Sequence, residues 1–224
     1  MTILCIETST SVCSAAICKD GELSKQCINY EGSNHARLLP LYIDELLAYA
    51  RENNLTIDAV ALSEGPGSYT GLRIGTSTAK GLCYGLNVPL IPVPTLDILC
   101  EAARKKTECR LLSTDLLCPM IDARRMEVYT KINGETKAVI VENEESLCSV
   151  SATVYYFGDG AAKCQAVIQA PNWHYIPNIV PQAQYMGSLV ESRKSKVKSV
   201  DLAYYEPFYL KEFVAAQSHV KGLV

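Results

Sequence analysis

The 224-residue chain has three histidines, one tryptophan and three phenylalanines, and no Cys-x-x-Cys pair. No histidine has another three or four positions away, so a helical metal pair or a zinc finger cannot be written from this sequence. It also lacks an excess of charge: 21 basic against 24 acidic side chains leave a formal charge of −3. That is too weak a field to make nucleic acid or an anionic membrane the obvious partner. No apolar run reaches the length of a membrane span. The opening Met1-Thr2-Ile3-Leu4-Cys5-Ile6-Glu7 has neither a basic start nor an apolar signal core, so secretion is not expected and a cytoplasmic location is. Hydrophobic residues make up 48% and charged ones 20%, the proportions of a globular protein rather than a disordered one.

What is present in unusual number is cysteine, ten in all. Most lie in apolar runs, where a reduced thiol packs as a small hydrophobe, so core filler is expected rather than a disulfide framework. Thirteen tyrosines stand beside the few other aromatics. The basic runs at Arg104-Lys105-Lys106 and at Arg193, Lys194, Lys196 and Lys198 read as solvated helix ends.

The pattern along the chain is α/β. Residues 2–7, 11–18 and 23–30 read as three strands joined by tight turns, and Ser33 or Asn34 caps a long helix through about residue 54 with Pro40 near its start. Strands at 58–63 and 89–94 alternate with helices at 71–85 and 96–106. The pattern then begins again: an apolar run at 117–122 ending in an acid, alternation at 126–132, an Asn133-Gly134 turn, strands at 137–141 and 153–157, and a helix from Gly160 to about Gln169. Residues 182–194 read as a further helix. The expected division is 1–107 and 108–224, with the last segment packing back on the first half.

The sharpest local motif is Gly65-Pro66-Gly67-Ser68-Tyr69-Thr70-Gly71-Leu72-Arg73-Ile74-Gly75, between a strand and a helix. Gly65, Gly67, Ser68 and Thr70 could present N–H groups and hydroxyls to an anion or a nucleotide. It is not a P-loop, which needs Gly-Lys-Ser/Thr at its end, nor a nucleophile elbow, because Ser68 lacks flanking glycines two positions away. A dinucleotide reading expects an acid at the end of the next strand, where Pro92-Val93-Pro94-Thr95 has none. The alternative is a tight turn feeding a closely packed helix. In that helix Gly71, Gly75 and Ala79 form a bare stripe at i, i+4 and i+8, against which another element must press. The preceding helix has apolar residues on more than one face, among them Leu38, Leu39, Tyr42, Ile43 and Leu46. Either a partner helix or the chain's own remainder covers the surplus. Glu7 and Asp122 end the first strands of the two repeats, the position of metal-holding carboxylates in duplicated phosphotransferase folds. The hairpins that follow them lack the glycines of a phosphate cradle.

The opening Ile3-Leu4-Cys5-Ile6-Glu7-Thr8-Ser9, the stretch from His35 to Pro40, the glycine-rich loop, Thr95-Leu96 and Asp122-Ala123-Arg124-Arg125-Met126-Glu127-Val128-Tyr129 closely resemble the TsaB (YeaZ) family of bacterial tRNA threonylcarbamoyladenosine biosynthesis proteins, a glycoprotease-like group. The resemblance implies a duplicated actin-like ATPase (ASKHA, RNase H-like) fold with two related subdomains. It further implies a non-catalytic subunit that binds and activates the TsaD transferase, which carries threonylcarbamoyl to N6 of adenosine 37 in tRNAs reading A-starting codons, with the ATPase TsaE joining the assembly. The transferase sister carries a metal-binding His-x-x-x-His. Here the residue four after His35 is Leu39, so no metal or other cofactor is expected in this chain, and ATP and metal are expected in the partner subunits. The resemblance also implies homodimerisation through the N-terminal helices and only indirect contact with tRNA. The partner-binding residues are then Leu38, Leu39, Tyr42, Ile43, Leu46, Gly71, Arg73, Gly75 and Ala79, and Glu7 and Asp122 are vestigial acids. No catalytic residue is expected. A stand-alone nucleotide-binding hydrolase of actin-like fold is the alternative.

Overall fold

A computed structural model describes residues 1–32, 34–106, 112, 114–193 and 200–211. Strand β1 (Thr2–Glu7) is buried at all six positions. Its unbroken apolar run is that of a central strand covered on both faces. It pairs antiparallel with β2 (Cys13–Lys19), which pairs antiparallel with β3 (Glu22–Asn29), an edge strand whose pattern is mostly exposed or half-buried. Asp20 and Gly21 both have positive φ, 51° and 86°, the backbone of a two-residue type I′ hairpin. Helix α1 (His35–Glu52) crosses to β4 (Ala59–Gly65), parallel to β1. Helix α2 (Tyr69–Leu86) then crosses to β5 (Leu90–Pro94), parallel to β4, and Thr95 opens α3 (Thr95–Lys106) directly.

The second half repeats this order. Strands β6 (Leu116–Asp122), β7 (Glu127–Ile132) and β8 (Glu135–Ile140) form an antiparallel meander, and β9 (Val154–Phe157) and β10 (Trp173–Ile176) add parallel strands on the other side of β6. The sheets read β3-β2-β1-β4-β5 and β8-β7-β6-β9-β10. The β7–β8 turn at Asn133-Gly134 has φ of 52° and 85°, the same turn chemistry at the same place in the repeat. This is the duplicated architecture expected.

The halves differ in their crossovers. Where the sequence predicts a helix from Gly160 to Gln169 there is a 3-10 turn, Ala162–Ala166, and the following β10 was not anticipated. Gly160 is wedged against β6, where a Cβ would sit 2.8 Å from the Ile121 carbonyl carbon, and Pro171 bars helical backbone just beyond. The predicted helix at 182–194 is a 3-10 turn, Ala183–Tyr185, running into α4 (Met186–Ser192); Lys194 lies outside the described residues, as does Ser33. Asn34 occupies the N-cap of α1 without a side-chain cap bond, and Pro40 is inside the helix.

Three apolar clusters result. One lies between the first sheet and α1 and α2, around Leu4, Ile6, Ile17, Leu39, Leu46 and Leu62. A second lies inside the second half, around Met120, Val128, Tyr156 and Trp173. The third is shared: α3 and α4 lie on the opposite face of the first sheet, and Leu96, Leu99, Met186 and Leu189 meet Ile121 and Phe157 of the second half. Asp97 of α3 adds a polar tie, pairing with Lys131 of β7 at 2.6 Å and with Arg193 at 2.8 Å. Nine cysteines are free thiols in or beside these clusters, and Cys109 lies outside the described residues. Burial pushes thiols such as Cys118 up to about 12, so they pack as neutral groups.

Candidate functional site

The glycine-rich loop is held by its own chain. The Gly65 N–H donates to Thr95 Oγ1 at 3.2 Å, and the Ser68 N–H donates to Ser9 O at 2.6 Å. Ser68 Oγ accepts from the Gly71 N–H at 3.3 Å, capping α2. Gly65 and Ser68, expected to offer N–H groups to an anion, therefore spend them inside the fold. Gly67, Ser68 and Thr70 do line the cleft described below.

The glycines have a steric purpose. A Cβ on Gly67 would sit 2.4 Å from Ser9 O, one on Gly71 2.0 Å from Thr8 O, and one on Gly75 2.3 Å from Thr8 Oγ1. The element that presses on the bare stripe is thus the β1–β2 loop of the same chain, with Thr8 donating its hydroxyl to Gly71 O at 2.8 Å. This corrects the assignment of Gly71, Gly75 and Ala79 to a partner interface, because all three face the chain's own core. Leu39, Ile43 and Leu46 are corrected for the same reason: they form the buried face of α1.

Of the expected partner residues, Leu38 and Tyr42 are half-buried and Arg73 is exposed, its guanidinium 5.1 Å from the centre of the Tyr69 ring. Leu41 on α1 is 62% exposed, and Tyr84 on α2 is 85% exposed. Gly81 and Gly85, one turn apart beside Tyr84, have no atom of the chain within 4 Å of an added Cβ. These outward positions were missed. The signal for them was the same helical period, two residues out of phase with the inward stripe.

The two strand-ending acids have separate fates. Glu7 is fully buried, and its Oε1 accepts from both the Ser9 N–H and the Ser9 hydroxyl at 2.6 Å. Its Oε2 has no partner among the described residues. Burial pushes this carboxyl up to about 7, against the pull of the Ser9 bonds, and the charge of Asp159 adds to the rise. Asp122 is exposed, accepts from the Arg124 N–H at 3.1 Å and pairs with the Lys163 ammonium. One acid is thus sealed in a turn and the other answered by a lysine. No group of three or more His, Cys, Asp or Glu side chains among the described residues could hold a metal ion.

His35 is buried as well, with Nε2 2.9 Å from Thr10 O. The position four residues on, Leu39, is fully buried in the apolar face of α1. Between the two halves lies a cleft of about 1010 Å³, with Ser9, Thr10 and Tyr69 on one wall and Asp122, Arg124 and Asp159 on the other. No helix among the described residues is long and apolar enough to cross a membrane.

A family model described as TsaD, tRNA N6-adenosine threonylcarbamoyltransferase, matches residues 29–205. Proteins named tRNA threonylcarbamoyladenosine biosynthesis protein TsaB are similar along the chain. That of Haemophilus influenzae is 29% identical over 96% of this chain and 95% of its own length, and that of Escherichia coli is 28% identical over 96% of each. By contrast, a tRNA N6-adenosine threonylcarbamoyltransferase of Bacillus subtilis is 33% identical over only 42% of this chain and 32% of its own. The solved YeaZ from Pseudomonas aeruginosa superimposes with a TM-score of 0.73 at 26% identity, covering 93% of this chain and 99% of that one. A second Pseudomonas aeruginosa structure, described as similar to peptidase YEAZ, gives 0.77 at 24% identity over 94% and 99%. With two sheets of identical strand order and this similarity from end to end, the chain belongs to the TsaD family of tRNA N6-adenosine threonylcarbamoyltransferases, in its TsaB (YeaZ) branch.

Proposed function

We propose that this chain acts in tRNA threonylcarbamoyladenosine biosynthesis as a non-catalytic subunit that binds and activates a TsaD-type transferase, with a TsaE-type ATPase joining the assembly in the cytoplasm. The observation that carries the reading is the use made of the groups that could do chemistry. Glu7, Asp122 and His35 are each committed to a partner within the chain, while the position of a second metal-binding histidine is the core residue Leu39. Full-length similarity to TsaB proteins, against partial similarity to the transferases, points the same way.

Binding energy is then sought on the outward faces of α1 and α2, where Leu41 and Tyr84 stand exposed and Gly81 and Gly85 leave room for a closely approaching helix. In the absence of the transferase the same faces pair two copies of this chain. ATP and metal belong to the partner subunits, and tRNA is met through them. Activation follows if the transferase's active conformation binds this chain more tightly than its inactive one does. Reconstituting the modification with and without this chain tests the reading: activity should require it, and equal activity without it would reject the proposal. The cleft of about 1010 Å³ is large enough for a nucleotide and sustains the hydrolase alternative, which a titration with ATP scored for turnover decides.

A further inference from the structure

The last described segment, residues 200–211, returns from the shared core across the first half and ends at the cleft. Val200, Leu202 and Tyr205 pack against the apolar cluster beneath α1 and α2. The Lys80 ammonium on α2 donates to Ala203 O at 3.0 Å and to Tyr205 O at 3.2 Å. Further on, the Phe208 N–H donates to Glu64 O at 2.7 Å. The Phe208 carbonyl fills the space a side chain on Gly65 would need, for a Cβ there would lie 2.5 Å from Phe208 O. The Tyr209 ring meets the Tyr69 ring at 5.0 Å between centroids, and the Lys211 ammonium pairs with Glu127 on the opposite half. In order, the segment is tied to α2, to the end of β4, to the first turn of α2 and then to β7 across the cleft, whose lining includes Phe208 to Lys211.

We propose that residues 206–211 form a strap across the mouth of the cleft that occupies its wall beside Gly65 and Tyr69 and holds the two halves at a fixed separation. Three residues from Phe208 to Lys211 reach roughly 10 Å when extended, enough to join walls that already share a core. The strap also lies on a position already reserved for glycine. Gly65 has φ of 115° and must also admit a foreign carbonyl, two demands that only glycine meets together. Its far end is an exposed ion pair and a ring contact, attachments that open readily while the half-buried Tyr205 end stays packed on the core. A strap of this kind makes cleft access a local equilibrium, independent of the unfolding of either half.

Amide hydrogen exchange by NMR on the full chain tests this. The Phe208 amide should be protected in the wild type. Glu127→Gln, which removes the Lys211 pairing, should speed its exchange about two- to fivefold, and Tyr209→Ala about tenfold. The Ser68 amide on one wall and the Ala123 amide on the other, both hydrogen-bonded, should accelerate with it, while amides of β1 do not. Exchange of Phe208 at the free-peptide rate in the wild type would overturn the proposal. So would acceleration of Phe208 that leaves Ser68 and Ala123 unchanged, since the strap would then not hold the cleft.

Discussion

Alanine at Gly71 and alanine at Gly81 should shift stability in opposite directions, although both positions lie inside α2. Intrinsic helix propensity favours each substitution by up to about 1 kcal/mol. At Gly81 nothing lies within 4 Å of the added methyl, so that gain is expected nearly in full. At Gly71 the new Cβ falls 2.0 Å from Thr8 O and 3.2 Å from the Thr8 carbonyl carbon, and ordinary contact requires about 3.4 Å. Helix and loop must therefore separate by more than an ångström. Thr8 cannot yield cheaply: it is fully buried, donates to Gly71 O, and precedes the turn that Glu7 holds through Ser9. Overpacking of this kind costs about 3 kcal/mol, which leaves Gly71→Ala about 2 kcal/mol less stable than wild type. For a chain of this size 1 kcal/mol corresponds to roughly 2–4 °C, so Tm should fall by about 4–8 °C for Gly71→Ala and rise by about 2–4 °C for Gly81→Ala. Urea unfolding followed by Trp173 fluorescence and by circular dichroism supplies the free energies and checks that the two probes coincide. A Gly71→Ala protein as stable as wild type would refute the claim that the β1–β2 loop is what presses on the stripe. The same reasoning disqualifies Gly75→Leu as a probe of partner binding, because it would strike Thr8 and Leu62 inside the monomer.

Leu41→Arg and Tyr84→Arg should each leave Tm within about 2 °C of wild type and weaken co-purification with a TsaD-type transferase at least tenfold; unchanged retention of both would move the interface elsewhere. Glu7→Gln should flatten the pH dependence of stability. The folded carboxyl titrates near 7 and the unfolded one in the usual carboxylate range, so between those limits the folded state binds more protons and stability falls as pH rises. The full difference is about 3 kcal/mol, and the variant should recover much of it at pH 8; parallel pH curves for the two proteins would contradict this. Asp97→Asn has the opposite sign. Burial raises that carboxyl, but Lys131 and Arg193 outweigh it and hold it below its usual range, so its contribution is present at neutral pH and lost as pH falls through the folded value. Because both cations are partly exposed, a loss of about 1–2 kcal/mol at pH 7 is expected from urea titration, shrinking toward zero in acid.

The first half was legible because several signals agree there. A continuous apolar β1, an Asp20-Gly21 hairpin and two full-length helices leave little freedom in how the elements are assigned. The second half was less so, because its crossovers are shaped by contact rather than propensity. Residues 161–169 have helix-forming composition, yet Gly160 against Ile121 and Pro171 beyond leave room only for a 3-10 turn. The site was misjudged for a related reason. A bare stripe shows that something lies close, but its identity depends on pairing between residues more than sixty positions apart, such as Thr8 with Gly71. Periodicity carries no information at that separation, so it shows that an element lies close without showing which.

On the proposed reading, that correction bears on how a duplicated fold serves as a binding subunit. Both halves keep the duplicated topology, the same hairpin turns and an acid at the end of the first strand, so the frame of a two-walled site survives intact. What differs is where the polar groups are directed. Glu7 is turned into its own loop with its carboxyl pushed up to about 7 by burial, Asp122 is matched by Lys163, and the loop N–H groups of Gly65 and Ser68 bond to Thr95 and Ser9. Each of these bonds stabilises the monomer and removes a group from possible work on a ligand. Glu7 Oε1, the Asp122 carboxylate and these loop amides are thus engaged within the chain, while Glu7 Oε2 has no partner among the described residues and its burial costs stability as pH rises. Among the exposed apolar side chains, Leu41 and Tyr84 stand on the outer face of α1 and α2. On the proposed reading that face meets the partner, and a scaffold already folded around its own core spends little affinity on ordering itself.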